Sequence, residues 1–173
     1  MEKLEPQVPH VVFLPFPVQG HVKPMLKLAE LLSYAGLQVT FINTEYVHDR
    51  FLPSVDIQAF YRRFPKFQFL SIPDGLPPDH PRSNKHIGDL LLFIIAATKS
   101  GLRQLLVSLS RKAGRQQHPT CIIADGLLSS SAIDAGEEFG IPVLAFRTFS
   151  ACSIWTYFHL LKLIEEGEVP FQG

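Results

Sequence analysis

Three short stretches carry side chains that could do chemistry, each at a point where an apolar run gives way to a polar one. Pro15-Phe16-Pro17-Val18-Gln19-Gly20-His21 ends in a histidine, Ile122-Ile123-Ala124-Asp125-Gly126 ends in a carboxylate and a glycine, and Phe146-Arg147-Thr148-Phe149-Ser150 holds an arginine between aromatics. A neutral imidazole accepts a proton, and the positive end of a helix starting here disfavours imidazolium, so His21 is positioned as a base. An aspartate that accepts from one ring nitrogen fixes the tautomer and leaves the other nitrogen for substrate. Asp125 supplies that partner if its strand pairs beside the first. A guanidinium holds a carboxylate at two points, which lysine does less well, and Arg147 is a candidate for that task. Each residue also has a plainer reading. His21 could cap a helix or pack at a surface, Asp125 could be a helix N-cap, and Arg147 could pair with a nearby acid such as Glu137.

Other chemistries find little support. Sixteen Lys and Arg balance sixteen Asp and Glu, which leaves no general attraction for nucleic-acid phosphates. The seven histidines lack zinc-ligand spacing, with His80 and His86 in or beside a loop without cysteine or carboxylate partners, so no metal is expected. No Gly-x-Gly-x-x-Gly or Gly-x-x-x-x-Gly-Lys segment occurs, which makes a dinucleotide-binding domain a weak second choice. Arg62-Arg63 and Arg111-Lys112 read as solvated faces. Cys121 and Cys152, each in apolar surroundings, fit packing in a reducing compartment rather than a disulfide framework. The first residues, Met1 to Pro6, read as a short solvated lead-in without targeting character, and a cytoplasmic location is expected. The apolar run from Leu90 to Ala97 is less than half of the ~20 residues that span a bilayer, and it reads as a buried helix segment.

The elements that must position these residues follow from periodicity. The continuous apolar run over 10–16 predicts a strand covered on both faces, as in parallel sheets. Met25, Leu28, Ala29, Leu31 and Leu32 predict a helix over 21–35, stopped by Gly36, before a second strand over 37–42. Such a unit is a right-handed crossover in a parallel sheet. A short helix over 44–52, a strand over 67–72, a Pro-rich loop over 73–85, a long helix over 87–113 and a strand over 119–125 continue the alternation. A helix over 128–139 closed by Gly140, a strand over 142–146 and a helix over 150–166 complete it. The fold expected is α/β: one domain built on an open, doubly wound, Rossmann-like parallel sheet with helices on both faces. Ligands of such sheets bind outside the carboxyl ends of the strands, where all three candidate stretches lie.

Four separated blocks resemble the plant family of UDP-sugar-dependent glycosyltransferases. They are the run from His10 through Gln19-Gly20-His21 to Ala29, Val39-Thr40-Phe41-Ile42-Asn43-Thr44-Glu45, Ser71-Ile72-Pro73-Asp74-Gly75-Leu76-Pro77, and Cys121 through Asp125-Gly126. The resemblance implies the two-domain GT-B fold, of which residues 1–173 would be the acceptor-binding N-terminal half. It implies that His21 deprotonates an acceptor hydroxyl while paired with Asp125, and that the oxyanion displaces UDP with inversion and without a metal. UDP-glucose would be a co-substrate rather than a cofactor. Thr148 and Gly20 fall where the donor sugar is contacted, and Gln19, Leu127 and Arg147 on the acceptor side.

The sequence departs from the family where Trp-Thr-Thr-Ser-Ala-Cys is common and Arg147-Thr148-Phe149-Ser150-Ala151-Cys152 stands here. Arg147, Asp79-His80-Pro81-Arg82 and Gly167-Glu168-Val169-Pro170-Phe171 resemble the branch that glucosylates iridoid acids of the 7-deoxyloganetic type. The family's UDP-holding signature, rich in Trp, His, Gln and Glu, belongs to a C-terminal domain that these 173 residues do not include. The chain is therefore expected to be idle alone and to expose an apolar interdomain face prone to self-association. The rival expectation is a non-catalytic module that binds a small molecule or a protein without turnover.

Overall fold

The computed structural model describes residues 8–82, 87–112 and 118–170. The expected lead-in at Met1 to Pro6, the loop's last residues, His86, the helix end at Ala113 and the terminal Phe171 lie outside the described residues. Five strands alternate with helices: β1 His10–Leu14, α1 Gln19–Tyr34, β2 Gln38–Thr44, α2 Glu45–Phe51, α3 Ile57–Arg63, β3 Phe67–Ile72, α4 Ile87–Lys112, β4 Cys121–Asp125, α5 Ser129–Phe139, β5 Val143–Phe146 and α6 Ala151–Glu165. They form one sheet in the order β3-β2-β1-β4-β5, with every pairing parallel. The order reverses between β1 and β4, so the topological switch point lies where those two strands end.

Strand alternation distributes the core over two faces. Val12, Leu14, Ile42, Ile72, Ile122 and Ala124 point towards α4 and α5, where Leu90, Ile94, Leu102, Leu106, Ala132 and Ala135 cover them. Val11, Phe13, Val39, Phe41, Phe67, Phe69 and Ile123 point the other way, against Val22, Met25 and Ala29 of α1 and Ile57, Phe60 and Tyr61 of α3. Both faces of β1 and β4 are buried, which accounts for their continuous apolar runs.

Several boundaries differ from the expectation. β1 stops at Leu14 because Pro15 and Pro17 have no N–H for the ladder. α1 begins two residues before His21, with Val18 as its N-cap, and carries Pro24 within it. Sequence periodicity missed α3, which Asp56 caps by accepting from the Ala59 N–H at 2.9 Å. The apolar run of α4 is only partly buried: Leu90 and Ile94 are in the core, whereas Leu92 and Phe93 are exposed. From Leu90 to Arg111 this helix is long and apolar enough, by length and composition, to cross a bilayer. The eight-residue run understated it because apolar positions continue on both sides of Lys99 and Arg103. In this fold its inward face packs on the sheet.

The loop after β3 is organised by Arg82. Its guanidinium binds both oxygens of Asp74 at 3.0 and 3.2 Å and donates to the carbonyls of Pro77 and His80 at 2.7 Å each. Arg82 adopts a left-handed backbone, φ 46°, a strained conformation for a non-glycine residue that its hydrogen bonds hold in place.

Candidate active site

β1 and β4 run in register, Leu14 opposite Ala124, so Asp125 lies one step beyond the last paired position. Four residues separate the end of β1 from the start of α1, which places His21 in its first turn. The sheet thereby joins two residues that are 104 apart in sequence: His21 Nδ1 is 2.7 Å from Asp125 Oδ2. Asp125 is 2% exposed and His21 23%, so the pair has a buried carboxylate and a ring open on one side.

The other Asp125 oxygen accepts from the Leu127 N–H at 2.9 Å. That bond anchors the carboxylate, and it is a local turn rather than an N-cap: α5 starts after Leu128, without a side-chain cap. Phe16 presses on the imidazole edge-on, with ring centroids 5.5 Å apart. Two residues past β5, the Thr148 hydroxyl oxygen comes within 2.9 Å of the same Nδ1. An Nδ1–H donated to the charged Asp125 oxygen leaves the lone pair of the neutral ring on Nε2. Nε2 has no protein hydrogen-bond partner among the described residues, and the open side of the ring makes it reachable. The arrangement can take a proton from a hydroxyl group and hold the resulting imidazolium against Asp125.

Arg147 does not pair with Glu137 or with any other acid among the described residues. Its side chain lies across the backbone of Gly126, with Cδ, Nε and Nη1 2.5–2.6 Å from where a Cβ at that position would stand. The guanidinium carbon is 5.8 Å from the Phe149 ring centroid. Beside it opens a cavity of about 260 Å³, lined by Leu127, Arg147, Phe149, Ile154, Tyr157 and Phe158. A second opening, about 320 Å³ between α4 and α5, is lined by charged residues including the Lys99–Asp134 and Arg103–Glu138 ion pairs, and none of the candidate site residues borders it. Gln19 and Gly20 are exposed at the start of α1, and Leu127 is partly buried beside Asp125. Among the described residues no three His, Cys, Asp or Glu side chains gather as a metal site.

Sequence reasoning anticipated the meeting of His21 with Asp125 and singled out Arg147, but not the Thr148 contact with the ring, the Leu127 anchor or the aromatic wall from α6. The Thr148 contact depends on the path of the β5 end, for which periodicity carries no signal. The wall had one, since Tyr157 and Phe158 stand side by side in an apolar stretch.

The sequence model described as "Glycosyltransferase, N-terminal domain" matches residues 7–169. The chain belongs to that family. A 7-deoxyloganetic acid glucosyltransferase of Catharanthus roseus is 44% identical over 166 residues, 95% of this chain and 34% of the relative. A mogroside I-A1 synthase of Siraitia grosvenorii is 47% identical over 163 residues, 94% of this chain and 30% of the relative. A solved UDP-glucose: anthocyanidin 3-O-glucosyltransferase in complex with UDP superposes with a TM-score of 0.75 at 24% identity, covering 92% of this chain and 34% of the other. The sheet is thus that of the N-terminal half of a GT-B fold, as expected for plant UDP-glycosyltransferases. The chain spans about a third of the length of the curated relatives it matches.

Proposed function

We propose that this glycosyltransferase N-terminal domain is the acceptor half of a cytoplasmic enzyme that transfers glucose from UDP-glucose to a hydroxyl of a small terpenoid or iridoid-type metabolite. The observation that carries the reading is the His21–Asp125 pair, buried on the aspartate side and open at Nε2, at the switch point of the sheet. The names of its relatives support the sugar and the class of acceptor. In the step proposed, Nε2 of His21 takes the acceptor's hydroxyl proton. The freed oxygen forms a bond to the anomeric carbon as the bond to UDP breaks, and UDP leaves with the electron pair. Attack opposite the leaving group inverts the anomeric centre. Asp125 orients the ring and stabilises the imidazolium, while Thr148 and Gly20 border the donor sugar, and Gln19 and Leu127 the acceptor. UDP would be held by residues beyond this domain. Base catalysis of this kind supplies about 10²–10⁴ in rate, or roughly 3–5 kcal/mol.

The test is co-expression of this chain with the C-terminal region of a close relative, followed by an assay of glucose transfer. His21→Ala is expected to lower the rate at least about 100-fold. If the reconstituted protein is active and His21→Ala stays within about threefold, the base assignment is wrong.

A further inference from the structure

Arg147 has no task in the proton transfer, and its surroundings describe one. Asp125, paired in the sheet with the residue before Arg147, is fully engaged: one oxygen meets His21 and the other the Leu127 N–H. Arg147 makes no protein hydrogen bond or ion pair among the described residues, unlike Arg82 and Arg103, which are both paired with acids. Its position is nonetheless defined, because Gly126 leaves the space in which the side chain lies and Phe149 stands over the guanidinium. The adjoining cavity is otherwise apolar and aromatic apart from the Tyr157 hydroxyl. A fixed cation with free donors at the rim of an apolar cavity is complementary to a small apolar molecule that carries one carboxylate. The planar guanidinium can meet both carboxylate oxygens at once.

We propose that Arg147 is a specificity-determining residue that selects acceptors bearing a carboxylate, with Gly126 holding it in position. The proposal rests on the acceptor-half reading in taking the cavity's occupant to be an acceptor. Leu127 lines the same cavity, and its N–H holds the Asp125 carboxylate that meets His21, so the cavity adjoins the pair. The bound carboxylate is a recognition handle and takes no part in bond making.

The test uses the 173-residue chain and two probes of one shape, 4-hydroxyphenylacetate and its methyl ester, with affinities read by calorimetry at neutral pH. The acid is expected to bind about tenfold more tightly than the ester, the range of a charge-assisted hydrogen bond. Arg147→Met is expected to reduce that ratio to within about twofold, and Arg147→Lys to restore part of it. Gly126→Ala keeps the charge but puts a methyl group where the side chain now lies, and it too is expected to erase the preference. Equal affinities in the unmodified chain, no binding of the acid, or a preference that survives Arg147→Met would each overturn the proposal. So would a loss confined to UDP binding in Arg147→Met, which would assign the guanidinium to the donor's diphosphate. No turnover is needed, so the outcome is separable from the transferase reading: a reconstituted enzyme that fails to transfer glucose sinks that reading and leaves the acid-to-ester ratio as it was measured.

Discussion

Nδ1 of His21 lies between two oxygens, Asp125 Oδ2 at 2.7 Å and Thr148 Oγ1 at 2.9 Å. One ring proton therefore has a charged acceptor and a neutral one, and the charged acceptor, on the shorter contact, governs the tautomer. The Leu127 N–H bound to Asp125 Oδ1 makes a consequence testable. In Asp125→Asn the amide oxygen should stay on that N–H, which turns the NH₂ towards His21. The ring then has to accept at Nδ1 and carry its proton on Nε2, where it can no longer act as a base. Transfer by the reconstituted enzyme is expected to fall by about 10²–10⁴, since the same exchange costs about 10⁴ in a serine-protease triad, while acceptor affinity stays within about twofold. Unchanged transfer would show that Asp125 does not set the tautomer. His21 and Asp125 were legible in the sequence because each follows a continuous apolar strand in a chain of alternating elements, which defines where the ends of parallel strands meet. The Thr148 contact and the position of Arg147 over Gly126 were not, because both depend on how the end of β5 leans towards β4.

At the scale of elements, β5 is held to the sheet on one side only, and α5 is what seats it. Gly136 of α5 lies against the turn that leads into β5: a Cβ there would come within 2.5 Å of Val143 Cγ2 and 2.6 Å of the Ile141 carbonyl oxygen. The oxygen belongs to the backbone and cannot rotate away. Gly136→Ala is therefore expected to destabilise the domain by about 1–3 kcal/mol, whereas Gly20→Ala, with nothing within 4 Å, should leave urea unfolding nearly unchanged. Equal midpoints for the two variants would contradict the packing described. The crossovers built on α1, α4 and α5 could be read from sequence because their apolar stripes are long and glycines or polar residues end them. α3 could not, since it has seven residues and its apolar side chains are the aromatics that neighbouring strands also use.

For the whole molecule, the two flanks of the sheet are unequal. Near β3 the aromatic cluster of Phe41, Phe60, Phe64, Phe67 and Phe69 closes the core. On the β5 flank, Leu144 is exposed and α6 buries none of its residues, with Trp155, Tyr157, Phe158 and Leu161 each more than half exposed. A flank with this many exposed large apolar side chains favours association. In sedimentation velocity the isolated chain is expected to grow heavier with concentration, and Leu161→Glu, at a position 77% exposed, to reverse the trend without loss of helical signal. A monomer at every concentration would show that the flank is not adhesive.

The 104-residue span between His21 and Asp125 also bears on how the site comes into being. Neither side chain can find the other until β4 has crossed back over the sheet to lie beside β1, after three strands and the long α4 have been made. The pair thus meets only once β4 is in place, with α5, β5 and α6 still to follow in the chain's own order, and it has no half-built form. Whatever loosens the centre of the sheet parts His21 from Asp125, so their contact reports directly on whether β1 and β4 are joined.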